Sequence, residues 1–283
     1  MGTVLTREEI ASGMKAASKA VRENNPMAGS ITNNVTVDFV ANAQLAVGGS
    51  AAMVYLEDEG QFLANAGNSV YINMGTLIPL HRQSILATAE EMTKLGKPWV
   101  LDPVAIGIGS IRTEILTKLK KFPPAIVRGN ASEVIALAKL WDLVSGEDAE
   151  STVRGVDATD PTQAALPAAI ALARFINGAV AVSGKEDIVT DGTTIVYLKG
   201  GSALMASVTG FGCSLGGVCA VYATQTSPFM AALAATAHFN LAGTLAEKEC
   251  NGPASFKVAF IDALYNIKPG ALKKSIASIE QAC

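Results

Sequence analysis

The segment Ser207-Val208-Thr209-Gly210-Phe211-Gly212-Cys213-Ser214-Leu215-Gly216-Gly217-Val218 joins an apolar strand-like run, a glycine turn and the start of a long helix of small residues. Such a turn leaves backbone N–H groups without intrahelical acceptors at the positive end of a helix dipole, which suits a phosphate. Cys213 falls in the first helical turn beside those donors, where the same dipole favours thiolate over thiol. Gly210, Phe211, Gly212 and Cys213 are therefore candidates for a backbone anion hole bordered by a sulfur. By itself, a glycine turn before a helix is most often only a tight connection, and a lone cysteine most often a small packing residue.

Other polar groups follow the predicted strands: Asn73-Met74-Gly75-Thr76, Leu101-Asp102-Pro103-Val104, Arg128-Gly129-Asn130-Ala131-Ser132-Glu133 and Val182-Ser183-Gly184. In an open α/β sheet ligands bind outside the carboxyl ends of the strands, so parallel strands would bring these groups to the same edge as the Cys213 turn. Each has a plain alternative: Asp102 ends a strand, and Asn130 with Glu133 forms a helix-capping arrangement. Taken together they are the set a nucleotide kinase needs. Arg128 serves phosphate oxygens, Asp102 and Glu133 hold magnesium directly or through water, and the turn supplies an anion hole.

These groups require a layered α/β scaffold. β-branched runs predict strands at 51–55, 69–74, 98–103, 125–129, 179–184 and 194–198. Apolar residues at helical spacing predict helices over 38–47, 78–95, 110–120, 132–140 and 161–176. An amphipathic helix opens the chain over residues 1–21, with Thr6-Arg7-Glu8-Glu9 as its capping box. After Gly212 the chain reads as almost wholly helical to the end, with residues 206–245 as two core helices. The acidic stretch Ser145-Gly146-Glu147-Asp148-Ala149-Glu150 reads as a solvated loop.

Composition bounds the function. With 283 residues and no Pro/Ser-rich linker, a single domain over 1–283 is expected. Hydrophobic residues make up 49%, aromatics 6% and charged residues 17%, so aliphatic side chains must build the core. A net charge of -3 without a basic run excludes a nucleic-acid footprint and leaves a phosphorylated small molecule open. The four cysteines (Cys213, Cys219, Cys250 and Cys283) lack zinc-site spacing and, with only His81 and His238 in the chain, lack histidine partners. Reduced thiols in a cytoplasm are the expectation. No charged start with an apolar signal core is present, and the polar breaks in 206–245 argue against a bilayer helix, so neither secretion nor a membrane is expected.

The order Ile31-Thr32-Asn33, Ala41-Asn42 through Leu45-Ala46-Val47-Gly48-Gly49-Ser50, Asn73-Met74-Gly75-Thr76-Leu77, Leu101-Asp102-Pro103-Val104, Arg128 to Glu133 and Val208 to Cys213 resembles the hydroxyethylthiazole kinase family. Arg154-Gly155-Val156-Asp157 and Gly252-Pro253-Ala254-Ser255-Phe256 resemble further blocks of it. The cysteine that ends the anion-hole motif, where most ribokinase-like relatives carry aspartate, makes the match specific. The resemblance implies a three-layer ribokinase-like fold with a central, mostly parallel sheet flanked by helices. It implies ATP- and Mg²⁺-dependent phosphorylation of 4-methyl-5-(2-hydroxyethyl)thiazole by a homotrimer with active sites between subunits. By the same resemblance Arg128 and Ser183 contact ATP; Asn33, Met53 (through its backbone) and Gly210 line the thiazole pocket; Asp102 and Glu133 organise Mg²⁺; Cys213 lies against the substrate hydroxyl.

Three positions depart from the family's pattern. Gly29 replaces a common histidine and suggests a roomier pocket; Phe211 replaces a small residue and either narrows the acceptor site or faces away; Ala254 replaces a glycine. Cys213 acts as a modest base or orienting group only if its surroundings lower the ordinary thiol pKa of about 8.5. Alternatives are a ribokinase-like kinase for another alcohol such as hydroxymethylpyrimidine, a cysteine-nucleophile transferase, which would need a histidine beside Cys213, or a non-catalytic binding protein.

Overall fold

In the computed structural model, which describes residues 4–145 and 162–282, each strand of the first half is followed by a helix that returns the chain to the same end of the sheet. Thr6 caps α1 (Arg7–Asn24) with the reciprocal Thr6–Glu9 pair expected from the sequence. There follow β1 (Met27–Ile31), α2 (Val37–Ala46), β2 (Ser50–Met53), α3 (Glu57–Ala66), β3 (Ser69–Asn73), α4 (His81–Lys94), β4 (Trp99–Asp102), α5 (Ser110–Leu119), β5 (Ile126–Asn130) and α6 (Ala131–Leu140). The second half contains α7 (Leu166–Ile176), β6 (Ala179–Ser183), β7 (Asp187–Thr190), β8 (Thr194–Leu198), α8 (Phe211–Ala223), α9 (Pro228–Ala246), α10 (Pro253–Asn266) and β9 (Ile276–Gln281).

Among the described residues the sheet order is β2-β1-β3-β4-β5-β6-β7-β8-β9, parallel through β6 and antiparallel beyond it. Successive side chains of a strand face opposite ways. In β3, Val70 and Ile72 accordingly join a core with residues of α3–α7, whereas Tyr71 joins the core formed with α1, α2 and α8–α10. Two helical layers therefore cover a sheet that is apolar on both faces, as parallel strands require. α9 is long and apolar enough to cross a membrane, but it is mostly buried inside this fold, so its apolarity serves the core.

Several expectations need correction. β1, β7, β9 and α3 were not foreseen, and the chain after Gly212 is not helical to its end, because β9 closes the sheet by pairing with β8. The run Ser207 to Thr209 forms no strand: a short 3₁₀ turn over Ala203–Ser207 leads into the glycine turn. Gly29 does not enlarge a pocket, since it lies in β1, where an added Cβ would meet Leu63 Cδ1 at 2.7 Å. The blocks Arg154 to Asp157 and Gly146 to Glu150, and the expected helical start at Pro161, lie outside the described residues.

His238, in the middle of α9, is fully buried, with Nε2 donating to the Leu264 carbonyl at 2.9 Å and Nδ1 accepting from the Tyr222 hydroxyl at 2.8 Å. Burial, with Arg22 adding to it, pushes the imidazole from its ordinary 6.5 down to about 4. Protons therefore favour the unfolded chain. This contribution to stability is complete above about pH 6.5 and is lost as the pH falls toward about 4. Melting curves across that window should show a steep decline, and His238→Gln should flatten it; an unchanged slope in the variant would rule out this origin.

Candidate active site

The parallel half of the sheet brings the polar post-strand groups to one edge, as the motif order required. A cavity of about 660 Å³ opens there, with Asn33, Arg128, Glu133, Gly210, Gly212 and Cys213 in its wall. Asp102 lies behind it, fully buried at the end of β4. Ser183, at the end of β6, meets the cavity through Arg128, whose Nη2 donates to its Oγ at 3.1 Å. Met53 is not in this wall; its side chain packs against the core formed with α1, α2 and α8–α10.

Gly210 starts α8 in a left-handed conformation, φ +99°, and an added Cβ would meet Thr36 Cγ2 at 3.0 Å. The first helical bond runs from the Ser214 N–H to the Gly210 carbonyl, so the amides of 211–213 have no intrahelical acceptor, and Gly212 and Cys213 line the cavity. Phe211 settles which way its ring turns: it lies away from the cavity, buried among Phe39, Phe256 and Phe260 at centroid distances of 4.8, 5.4 and 4.7 Å. Its neighbours Gly210, Gly212 and Cys213 line the cavity in its place.

Asp102 Oδ2 gathers three donors: Arg128 Nη1 at 3.3 Å, the Tyr71 hydroxyl at 3.0 Å and Asn73 Nδ2 at 3.5 Å. Burial opposes charge on Arg128, but Asp102 and Glu133 outweigh it and hold the guanidinium protonated. Burial likewise pushes Asp102 up while Arg128 and Tyr71 pull it down. Three donors on one oxygen are the geometry of the ionised carboxylate, and we take the pair as ionic. Glu133 caps α6 through the Asn130 amide at 2.8 Å. Burial and then Asp102 push its carboxyl up to about 7, against Arg128 and the amides of Asn130 and Ala105.

Cys213 reverses one expectation. Burial first, and Asp102 next, push its thiol above the ordinary value despite the opposing pull of Arg128. The helix start does not lower it, because the sulfur is desolvated beside a carboxylate. Asn33 Nδ2 lies 3.7 Å from Sγ and also donates to Asn73 Oδ1 at 2.9 Å. Neither imidazole lines the cavity: His81 stacks on Tyr55 and His238 is sealed in the core. The arrangement required of a cysteine nucleophile is therefore missing among the described residues.

Motif reading did not find Tyr71 or Arg112. Arg112 lies in the wall and ties two loops together, donating to the carbonyls of Met74 at 2.8 Å and Ile108 at 2.5 Å. Neither residue had a sequence signal beyond its place in a predicted element.

A mostly parallel sheet between two helical layers, with a glycine turn opening a helix at its carboxyl edge, defines the ribokinase-like fold class. The fold superposes on a ribokinase-like superfamily protein from Enterococcus faecalis (TM-score 0.61, 14% identity, 92% of this chain and 94% of that one). It superposes much more closely on the hydroxyethylthiazole kinase protein of Pyrococcus horikoshii (TM-score 0.83, 30% identity, 95% and 99% covered). The chain belongs to the hydroxyethylthiazole kinase family, whose model matches residues 18–270. Hydroxyethylthiazole kinases of Bifidobacterium animalis (45% identity; 93% of this chain, 89% of the relative) and Cereibacter sphaeroides (43%; 93% and 96%) are similar along nearly their whole length.

Proposed function

We propose that this protein transfers the γ-phosphoryl group of ATP to the hydroxyl of 4-methyl-5-(2-hydroxyethyl)thiazole, giving the thiazole phosphate in thiamine salvage. The observation that carries the chemistry is the buried, charged Arg128 stacked against Gly212 at the anion-hole turn, with Cys213 and Asn33 in the same cavity wall.

In this reading the amides of 211–213 and Arg128 hold phosphoryl oxygens, and Ser183 keeps the guanidinium turned toward the nucleotide. Phosphoryl transfer proceeds through a loose transition state, so positioning and charge stabilisation dominate and little is asked of a base. Cys213, held as a thiol, orients the acceptor hydroxyl beside Asn33 and Gly210. Met53, lying outside this wall, contacts the thiazole only through the backbone at the half-buried end of β2, as the resemblance implies.

Magnesium fits the residues present. Asp102 pairs with Arg128, whose charge also acts on Glu133, and Asp102 Oδ1 is buried with no hydrogen-bond partner. That oxygen-rich, charge-deficient corner suits a hard divalent cation. No group of three or more acidic, histidine or cysteine side chains closes a metal sphere among the described residues, so Asp102 and Glu133 would hold Mg²⁺ together with water and phosphate oxygens. The ion would neutralise charge on the phosphates.

The homotrimer implied by the resemblance is supported by a groove of about 1050 Å³ between α4 and α5. Its rim exposes Ile108 (49%) and Ile111 (55%), and Ile108 and Arg112 also border the active-site cavity. A cytoplasmic location is supported by Cys213, Cys219 and Cys250 standing as free thiols.

A coupled ADP-release assay with ATP, Mg²⁺ and the thiazole alcohol tests the activity: turnover should depend on the alcohol and exceed that with hydroxymethylpyrimidine. No dependence on the alcohol would sink the proposal. Cys213→Ala should lower kcat about tenfold, consistent with a lost orienting or proton-transfer contact, while Cys213→Asp should preserve or raise it. Parental kcat in the alanine variant would remove Cys213 from the mechanism.

A further inference from the structure

Tyr71 stands in the middle of β3, fully buried, on the face turned toward α8. An added Cβ at Gly216 of α8 would lie 2.3 Å from its Cε2 and 2.8 Å from its hydroxyl, so only a residue without a side chain there admits the phenol. Packing alone would be served by phenylalanine. The hydroxyl does more: it accepts from Asn73 Nδ2 at 2.7 Å and donates to Asp102 Oδ2 at 3.0 Å.

Those two bonds complete an unbroken chain of side chains across the site. From the thiol end it runs Cys213, Asn33, Asn73 and Tyr71, with separations of 3.7, 2.9 and 2.7 Å. It continues from Tyr71 through Asp102 and Arg128 to Ser183, with separations of 3.0, 3.3 and 3.1 Å. Cys213 and Asn33 at one end and Arg128 near the other line the cavity, while Asn73, Tyr71 and Asp102 are buried behind it. The Tyr71 hydroxyl is the junction, donating toward one end of the chain and accepting from the other.

We propose that Tyr71 is a positioning residue for phosphoryl transfer. Its hydroxyl fixes Asp102 against Arg128 and, through Asn73 and Asn33, fixes the placement of the thiol relative to the phosphate. The inference rests on the kinase reading above. Each half of the site keeps its own binding groups when the hydroxyl is removed, so misalignment should appear in turnover rather than in affinity.

The test uses full-length Tyr71→Phe and Gly216→Ala, assayed with ATP, Mg²⁺ and the thiazole alcohol at a temperature where melting curves show each variant folded. Binding of the non-hydrolysable analogue AMP-PCP is measured alongside by calorimetry. Tyr71→Phe should lower kcat about tenfold, equivalent to about 1.4 kcal/mol, with both KM values and the AMP-PCP Kd within about threefold of the parent. Gly216→Ala, which displaces the ring while keeping the hydroxyl, should lower kcat in the same way. A Tyr71→Phe enzyme with kcat within twofold of the parent overturns the role, as does a loss confined to KM or Kd. A lowered melting temperature with unchanged kcat marks a purely structural tyrosine and also overturns it. Absence of turnover in the parent would instead defeat the kinase reading, so the two failures are distinguishable.

Discussion

Arg128→Met should lower kcat/KM about a thousandfold, the scale seen when a charge-stabilising group is taken from a phosphoryl-transfer site. Arg128 is 7% exposed, and its Nη1 and Nη2 are committed to Asp102 and Ser183. The variant loses a cationic side chain whose charge acts on both Asp102 and Glu133, and it takes from the buried Asp102 its ion-pair partner. Removing one partner of a buried ion pair costs about 3–5 kcal/mol, so the melting temperature should fall as well. Arg128→Lys separates the two effects. It keeps a charge near Asp102 but cannot form the planar two-sided contact, so stability should largely return while activity stays at least tenfold down. Steady-state kinetics beside thermal melts decide this, and an Arg128→Met enzyme within tenfold of the parent would remove the arginine from phosphate binding.

The second large effect is expected from the smallest change. At Gly212 an added Cβ would lie 2.6 Å from Arg128 Nη1, 2.8 Å from Nη2 and 3.0 Å from Cζ. The guanidinium cannot retreat without giving up Asp102 or Ser183. Gly212 lies in the first turn of α8 and is not among the positive-φ glycines, so alanine meets no backbone strain there, and by helix propensity alone would stabilise α8 by up to about 1 kcal/mol. Gly212→Ala should nevertheless lower kcat/KM for ATP about a hundredfold, with a fall in melting temperature smaller than that of Arg128→Met because the guanidinium keeps its charge near Asp102. Full activity in that variant would show that the close approach of α8 to Arg128 is dispensable.

Much of this site was legible because its parts are local. The Asn130–Glu133 cap, the left-handed Gly210 and the open amides of α8 depend on residues a few positions apart, and local chemistry of that kind is written in short motifs. The order of the motifs also implied a parallel sheet that gathers them. The strands that escaped notice share a cause. β1 consists of Met27-Ala28-Gly29-Ser30-Ile31, whose small residues carry little strand propensity and are made a strand by β2 and β3 on either side and by Leu63 above Gly29. β9 follows a helical run and becomes a strand by pairing with β8.

Residue types and spacing pointed to the layered α/β class, to the glycine turn before α8 and to the grouping of Asp102, Arg128 and Glu133, and the order of the motifs carried the resemblance to the family. Tertiary structure alone decided three matters. It turned Phe211 into the aromatic core, it raised the Cys213 thiol where a helix start was expected to lower it, and it placed Tyr71 at the junction of the buried network. The physical reason is common to all three: a side chain's direction, its desolvation and its charged neighbours depend on residues distant in the chain. Cys213 and Asp102 lie on different elements, and no local pattern records that folding draws the partly buried thiol close to a fully buried carboxylate.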